Sequence, residues 1–172
     1  MKNEQLIYKY TEKEIKSKVN IAIGVLFKND IFLLENNVHE RSIAHKLAEY
    51  LQVQFLDWDV DCEYNRKGLE TKILENIRQC SEQRKTDSVL PDIIIHKRNT
   101  NHNLIVVEIK TNNQDDACDI EKLKLFTAND GKYKYSLGLF IKFNRNNKPS
   151  MRWFQNGNEE KGGLSKVGQP TQ

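Results

Sequence analysis

The stretch Pro91-Asp92-Ile93-Ile94-Ile95-His96-Lys97, followed after Arg98-Asn99-Thr100-Asn101-His102 by Asn103-Leu104-Ile105-Val106-Val107-Glu108-Ile109-Lys110, decides the fold. Both halves are short runs rich in β-branched residues, and the link between them is polar and turn-forming. This predicts two strands, Pro91 to Lys97 and Asn103 to Lys110, joined as a hairpin. If the five-residue loop closes symmetrically, Lys97 faces Asn103, and outward counting puts Asp92 opposite Glu108, since both pairs of numbers sum to 200. Cβ atoms so placed lie about 4.5–5.5 Å apart. Lys110 shares Glu108's face because side chains alternate, and stands roughly 6.6 Å further along the strand. Two carboxylates and an ammonium therefore converge at one edge of an apolar sheet.

Like charges opposed across strands are destabilising, and burying them without a partner costs several kcal/mol more. A divalent cation resolves the conflict. Hard oxygen donors at this separation suit Mg²⁺ or Mn²⁺, which take one or two carboxylates and leave positions for water and a substrate phosphate. A bound metal acidifies a water and neutralises charge on a phosphoryl oxygen, and Lys110 could orient or deprotonate that water. On spacing alone the same residues equally describe a strand-end salt bridge of Glu108 with Lys110, with Asp92 capping a turn after Pro91.

Outward from the hairpin, Ile43, Ala44, Leu47, Ala48 and Leu51 form one stripe between Glu40 and Gln54, which predicts a helix. From Phe55 to Tyr64 the period changes to two, with Trp58, Val60, Cys62 and Tyr64 on one side and Asp57, Asp59, Asp61 and Glu63 on the other. That is a strand with an acidic face, most simply a solvated one. Leu69 to Arg84 has the apolar spacing of an amphipathic helix. Further upstream, Leu6 to Phe27 carries roughly helical spacing, although Ile21 to Phe27 also fits a strand, and Ile31 to Leu34 is an apolar run of either type. Downstream, Ile120, Leu123 and Phe126 mark a helix from about Ala117 that stops at Asn129-Asp130-Gly131. Tyr135 to Phe143 predicts a strand and Met151 to Phe154 a short last one. Setting aside the N-terminal segment and the helix at Leu69, the order is helix, three strands, helix, strand.

Pro91-Asp92, the sixteen-residue step to Glu108, and Lys110 resemble the PD-(D/E)xK nuclease superfamily, and that element order is similar to its core. More locally, His39-Glu40-Arg41-Ser42-Ile43, Val60-Asp61-Cys62-Glu63-Tyr64-Asn65-Arg66, Pro91 to His96 and Asn103 to Lys110 resemble a subgroup of small bacterial proteins within it. The resemblance covers about Val38 to Phe143. It implies an α/β, restriction-endonuclease-like fold, with a central mixed sheet flanked by helices and here an N-terminal helical extension. It also implies a metal-dependent endonuclease acting on nucleic acid, DNA before RNA. Asp92, Glu108 and the Ile109 carbonyl would hold Mg²⁺ or Mn²⁺, and Lys110 would act on the water. A catalytically silent module that binds nucleic acid or docks a partner protein is the competing expectation.

Many members of the superfamily add a glutamate from the first core helix, and Glu40 fits that place. It precedes Ile43 and Ala44 by three and four residues and so shares their helix face. Asn37 followed by Glu40 is also a capping-box spacing, so Glu40 reads equally as a catalytic group and as a cap. Glu63, late in its strand, could reach a metal or its waters, although a solvated position is simpler. Arg66 could grip a phosphate or pair with an acid. Lys122 could face the phosphate backbone, against a surface ion pair with Asp119. His96 shares parity with Asp92, but a satisfied or exposed imidazole is the simpler expectation.

The chain has 172 residues, 27 Lys+Arg against 24 Asp+Glu and a formal charge of +3, which excludes a strongly basic coat. Positive charge is instead local. Gly131 to Arg152 holds Lys132, Lys134, Lys142, Arg145, Lys148 and Arg152 with no acid, interleaved with Tyr133, Tyr135 and Phe143. Such a segment could bind a polyanion, or simply solubilise a loop and a strand end. The length and absence of a Pro/Gly/Ser-rich linker predict one domain over residues 1–155, and the glycine-rich residues 156–172 read as a loose tail. No apolar run approaches the roughly 18–20 residues of a membrane span, so a cytoplasmic protein without membrane contact is expected. Cys62, Cys80 and Cys118 lack metal-ligand spacing and read as reduced, mostly buried thiols. Cutting both strands of a duplex would require a homodimer, a partner subunit or two visits.

Overall fold

The structure, a computed structural model, describes residues 10–36, 38–64, 90–111, 115–144 and 148–161. Within them lie α1 (Glu12–Asn29), α2 (Ile31–Glu35), α3 (Glu40–Gln54), β1 (Asp59–Cys62), β2 (Ile93–His96), β3 (Asn103–Lys110), α4 (Ala117–Thr127), β4 (Leu137–Lys142), β5 (Ser150–Gln155) and β6 (Asn158–Glu159). The strands form one six-stranded sheet in the order β1-β2-β3-β4-β5-β6. All neighbours are antiparallel except β3 and β4, which run parallel. A parallel pair needs a crossover, and α4 supplies it. The chain is therefore an α/β protein with a mixed sheet flanked by helices.

Each face of the sheet has its own apolar layer. Ile93, Ile95, Ile105, Val107, Ile109, Leu139, Ile141 and Trp153 pack under α1 and α3, whereas Ile94, Val106, Phe140 and Phe154 pack under α4 with Tyr133 and Tyr135. Because both faces are covered, β2 and β3 are buried at every position. That is why their sequences are continuous apolar runs rather than alternating ones. α1 opens on a capping box, in which the Thr11 hydroxyl accepts from the Glu14 N–H at 3.3 Å and Glu14 Oε2 accepts from the Thr11 N–H at 2.6 Å.

The observed β2–β3 register corrects the symmetric loop while keeping its consequence. At the tip the Lys97 N–H donates to the His102 carbonyl and His96 pairs with Asn103. Those pairs sum to 199, which would turn Glu108 away from Asp92, because a one-residue slip moves every side chain to the other face. A bulge next to His96 intervenes, and Ile95–Ile105, Ile94–Val106 and Ile93–Val107 sum to 200. Leu104 and Ile105 accordingly lie in the same apolar layer although adjacent in sequence.

Other boundaries also move. The strand expected over Phe55 to Tyr64 is the shorter β1: Phe55 is the C-cap of α3, and Glu63, at φ 45°, ends the strand. Ile31 to Leu34 is helical as α2, and Ile21 to Phe27 belongs to α1. Residues 156–161, expected as the start of a loose tail, instead close a hairpin. Asn156 and Gly157 both take positive φ, as a two-residue type I′ turn requires, and β6 pairs with β5. The helix expected over Leu69 to Arg84, together with Cys80, Asn37, Arg66 and Arg145, lies outside the described residues. Cys62 and Cys118 are half-buried thiols. No helix among the described residues is long and apolar enough to cross a membrane.

Candidate functional site

Glu108 shares the parity of Val106 on β3, so it faces the α4 layer, and Asp92 shares that of Ile94 on the neighbouring strand. Lys110 continues the row at the C-terminal end of β3. Phe143 donates its N–H to the Lys110 carbonyl, which directs the backbone groups of Lys110 toward β4. Successive residues of a strand direct their backbone groups to opposite sides. Ile109 therefore presents its N–H and carbonyl toward the β2 side, where its N–H donates to Asp92 Oδ2 at 2.7 Å. Asp92, Glu108 and the Ile109 carbonyl thus belong to one place in the sheet.

From α4 come two further groups. Lys122 Nζ donates to Glu108 Oε2 at 2.8 Å and lies 3.2 Å from Asp119 Oδ1. Asp119 Oδ2 in turn lies 3.0 Å from Lys110 Nζ, so Asp119 bridges the two lysines. Glu40, the first residue of α3, completes the group from the other side of the sheet. Its Oε2 is 3.7 Å from Lys110 Nζ, while Oε1 accepts from the Thr111 N–H at 3.2 Å and the Thr111 hydroxyl at 3.4 Å. The N-cap of α3 is His39, which makes no side-chain cap. Glu40 is thus held to the end of β3 beside Lys110.

The cluster is dry. Glu108, Asp119, Lys110 and Lys122 are only 2%, 4%, 7% and 8% exposed, and Glu108 Oε1 has no hydrogen-bond partner among the described residues. Burial pushes the Glu108 carboxyl from its ordinary 4.5 up to about 8, with Asp92 and Asp119 adding to the rise and Lys122 opposing it. Burial likewise pushes Asp92 from 3.8 to about 6, against the stabilising Ile109 N–H. Burial by itself would depress Lys122, but Glu108 and Asp119 hold it above the usual lysine range. Such shifts mark groups whose charged forms the fold solvates incompletely.

Among the described residues, no three His, Cys, Asp or Glu side chains form a metal-holding group. The available donors are the two carboxylates and the Ile109 carbonyl. That set fits an ion such as Mg²⁺, which binds through one or two carboxylates and keeps its waters. Glu108 Oε1 is a buried carboxylate oxygen with no hydrogen-bond partner among the described residues, and an entering cation would give it one.

The remaining candidates take positions other than those expected. Lys122, expected at the phosphate backbone or in a surface pair, is a buried member of the cluster; it sits on the face of α4 that packs on the sheet. Glu63 is placed in an exposed ion pair with Arg41 at 2.6 Å. His96, fully buried at the far end of β2, has its Nε2 2.8 Å from Asp61 Oδ2, and Asp61 also pairs with Arg98. The acidic face of β1 is therefore partly neutralised by the hairpin tip rather than simply solvated.

The basic segment is likewise not one surface. Ser136 donates to the Asn103 carbonyl, which puts the loop carrying Lys132 and Lys134 beside the start of β3. Lys110 is seven strand residues away, roughly 23 Å. Arg152 is taken up by Glu159 at 2.7 Å and Asp116 at 3.4 Å. Lys142, the register partner of Lys110 and half-buried on the same face, is the cation of that segment placed beside the cluster among the described residues.

Asp119 is the residue that spacing did not single out. Its signal was present: Asp119, Lys122, Leu123 and Phe126 stand at i, i+3, i+4 and i+7, so two charges lie within the apolar stripe of α4. Compared with protein-family models, curated proteins and solved structures, the chain matches none.

Proposed function

We propose that the chain is a metal-dependent nuclease of restriction-endonuclease-like fold that hydrolyses phosphodiester bonds in nucleic acid, DNA in the first place. The observation that carries this is Glu108, a carboxylate buried at 2% exposure on the same face as Asp92, with one oxygen lacking a hydrogen-bond partner among the described residues. A bound Mg²⁺ or Mn²⁺ would supply the acidification of a water and the neutralisation of phosphoryl charge. Asp92, Glu108 and the Ile109 carbonyl would hold it.

The protein groups do the rest. Lys110, between Asp119 and Glu40, would orient the attacking water and offset charge on the phosphate; as the water oxygen bonds to phosphorus and the ester P–O bond breaks, the water's proton passes to bulk solvent and the leaving oxygen takes one from it. Glu40, tied to Thr111, fixes the direction of the Lys110 ammonium. Lys142, beside Lys110, takes a neighbouring phosphate.

One observation favours a second reading. Lys122 already offers Glu108 a cation at 2.8 Å, so a silent nuclease-fold module in which the lysine is a permanent counter-ion has the same geometry. Incubation of the pure chain with supercoiled, linear and single-stranded DNA and with RNA, in Mg²⁺ or Mn²⁺, separates the two. The nuclease cuts at least one form only with metal, and Asp92→Ala and Lys110→Ala each lose on the order of 100-fold or more of that rate. Equal cutting by all three proteins would remove the site assignment. Absence of cutting together with absence of metal-induced stabilisation would leave the silent module.

A further inference from the structure

Among the described residues, Lys122 is the group that places a positive charge on Glu108 by direct contact, and it has a second carboxylate within reach. Its Nζ sits 2.8 Å from Glu108 Oε2 and 3.2 Å from Asp119 Oδ1. Glu108 therefore has one oxygen engaged by an ammonium and the other without a hydrogen-bond partner among the described residues. Asp119 is itself buried and holds Lys110 with its other oxygen. The lysine can thus release Glu108 without losing its only counter-charge.

We propose that Lys122 is a built-in surrogate cation, which occupies the Glu108 side of the metal site in the resting protein and withdraws onto Asp119 when Mg²⁺ or Mn²⁺ binds. The proposal rests on the metal-dependent function above and deepens it, by making cation loading a competition with one named side chain. The surrogate keeps the buried carboxylates neutralised while the site is empty, so the fold tolerates the acids that the chemistry requires. It also sets the concentration of free metal at which the site loads, because the entering ion must displace an ammonium that is already desolvated and hydrogen-bonded. A tightly held Lys122 makes the protein responsive to metal rather than permanently loaded. Lys122 acts here through Glu108, as a positioning residue.

The test uses the full chain and Mn²⁺ alone as the probe, with calorimetric titration and the metal-induced rise in melting temperature as readouts. Lys122→Met should bind Mn²⁺ roughly tenfold or more tightly than the wild type. It should melt lower without metal and gain more on adding it. Lys122→Gln, which keeps a neutral donor toward Glu108, guards against a variant that folds poorly and should fall between the two. Lys110→Met removes one positive charge from the same cluster without touching Glu108, and should gain distinctly less affinity than Lys122→Met. An equal gain in both lysine variants would reduce the effect to bulk charge and overturn the displacement. Wild-type binding with no gain in Lys122→Met would overturn it while leaving the metal site standing. Failure of both Lys122 variants to fold even with Mn²⁺ would also count against it, since the metal should replace the ammonium. No Mn²⁺ binding by any protein, wild type included, would bring down the metal site and the surrogate with it.

Discussion

Asp61 and Glu108 stand on adjoining parts of one sheet, each beside a cation, and the fold shifts them in opposite directions. Asp61 is partly exposed; the Arg98 guanidinium, helped by His96, holds its carboxyl below the ordinary range even though burial pulls the other way. Glu108 is fully enclosed, and burial pushes it up to about 8 despite Lys122 at 2.8 Å. A cation at hydrogen-bond distance is common to both, so proximity does not decide the outcome. Solvent access does: at the hairpin tip water shares the work of solvation, whereas under α4 the carboxylates depend on whatever cation the site contains. At the tip the Asp61 carboxylate is engaged by Arg98 and His96, whereas at the far end of the same two strands Glu108 keeps one oxygen without a hydrogen-bond partner among the described residues.

The comparison is broken or sharpened most strongly by deleting the cations. Lys122→Ala strands Glu108 in a dry environment, leaving Asp119 with Lys110 alone, and should cost about 3–5 kcal/mol of unfolding free energy in metal-free buffer. Arg98→Ala opens a surface pair and should cost no more than about 1 kcal/mol. Denaturant unfolding of the two variants measures both, and similar losses would erase the distinction between the ends.

Next in size is the dependence on pH. Glu108 and Asp92 have folded-state values above their ordinary 4.5 and 3.8, at about 8 and about 6. The folded chain therefore binds more protons than the unfolded one between about pH 4 and pH 8, and this contribution to stability declines as pH rises through that window. Asp61 has the opposite sign: its lowered value adds stability above its ordinary 3.8 that is lost as pH falls through the folded-state value. Glu108→Gln should flatten the decline of the metal-free protein between the Glu108 carboxyl's ordinary 4.5 and its folded-state value of about 8, and leave the limb below about pH 4 unchanged. An unaltered slope between pH 5 and 8.5 in that variant would contradict the assignment. The smallest effect belongs to the helix caps. Thr11→Ala removes one reciprocal cap of α1 and should lower stability by about 1 kcal/mol without altering metal binding.

Much of this arrangement was legible in the chain itself. The apolar stripe of Glu40 to Gln54 gave α3 its bounds, and the β-branched run gave β3 its bounds, because both elements are dictated by local periodicity. The convergence of Asp92, Glu108 and Lys110 on one face also followed from alternation, although the route was faulty. The bulge beside His96 restores a register that the tip alone would have shifted, and strands buried on both faces carry no polar alternation from which to see it. The burial of Asp119 and Lys122 against Glu108 escaped for a different reason. An Asp and a Lys three residues apart on a helix usually form a surface pair, and only the packing of α4 onto Glu108 turns them inward. Asn156-Gly157 was misread through composition: a glycine count suggests looseness, whereas the order Asn-Gly specifies a tight turn. The basic segment failed because sequence adjacency does not fix spatial adjacency; Lys134 and Lys142 lie toward opposite ends of β4.

The most direct test of the candidate site is the stoichiometry of Mn²⁺ bound to the full chain, measured by the loss of the free-ion paramagnetic resonance signal on titration, in the wild type, Asp92→Asn and Glu108→Gln. One ion per chain in the wild type, lost or greatly weakened in both variants, is the expected result. Absence of binding in the wild type, or equal binding by all three proteins, would contradict a metal site at Asp92 and Glu108.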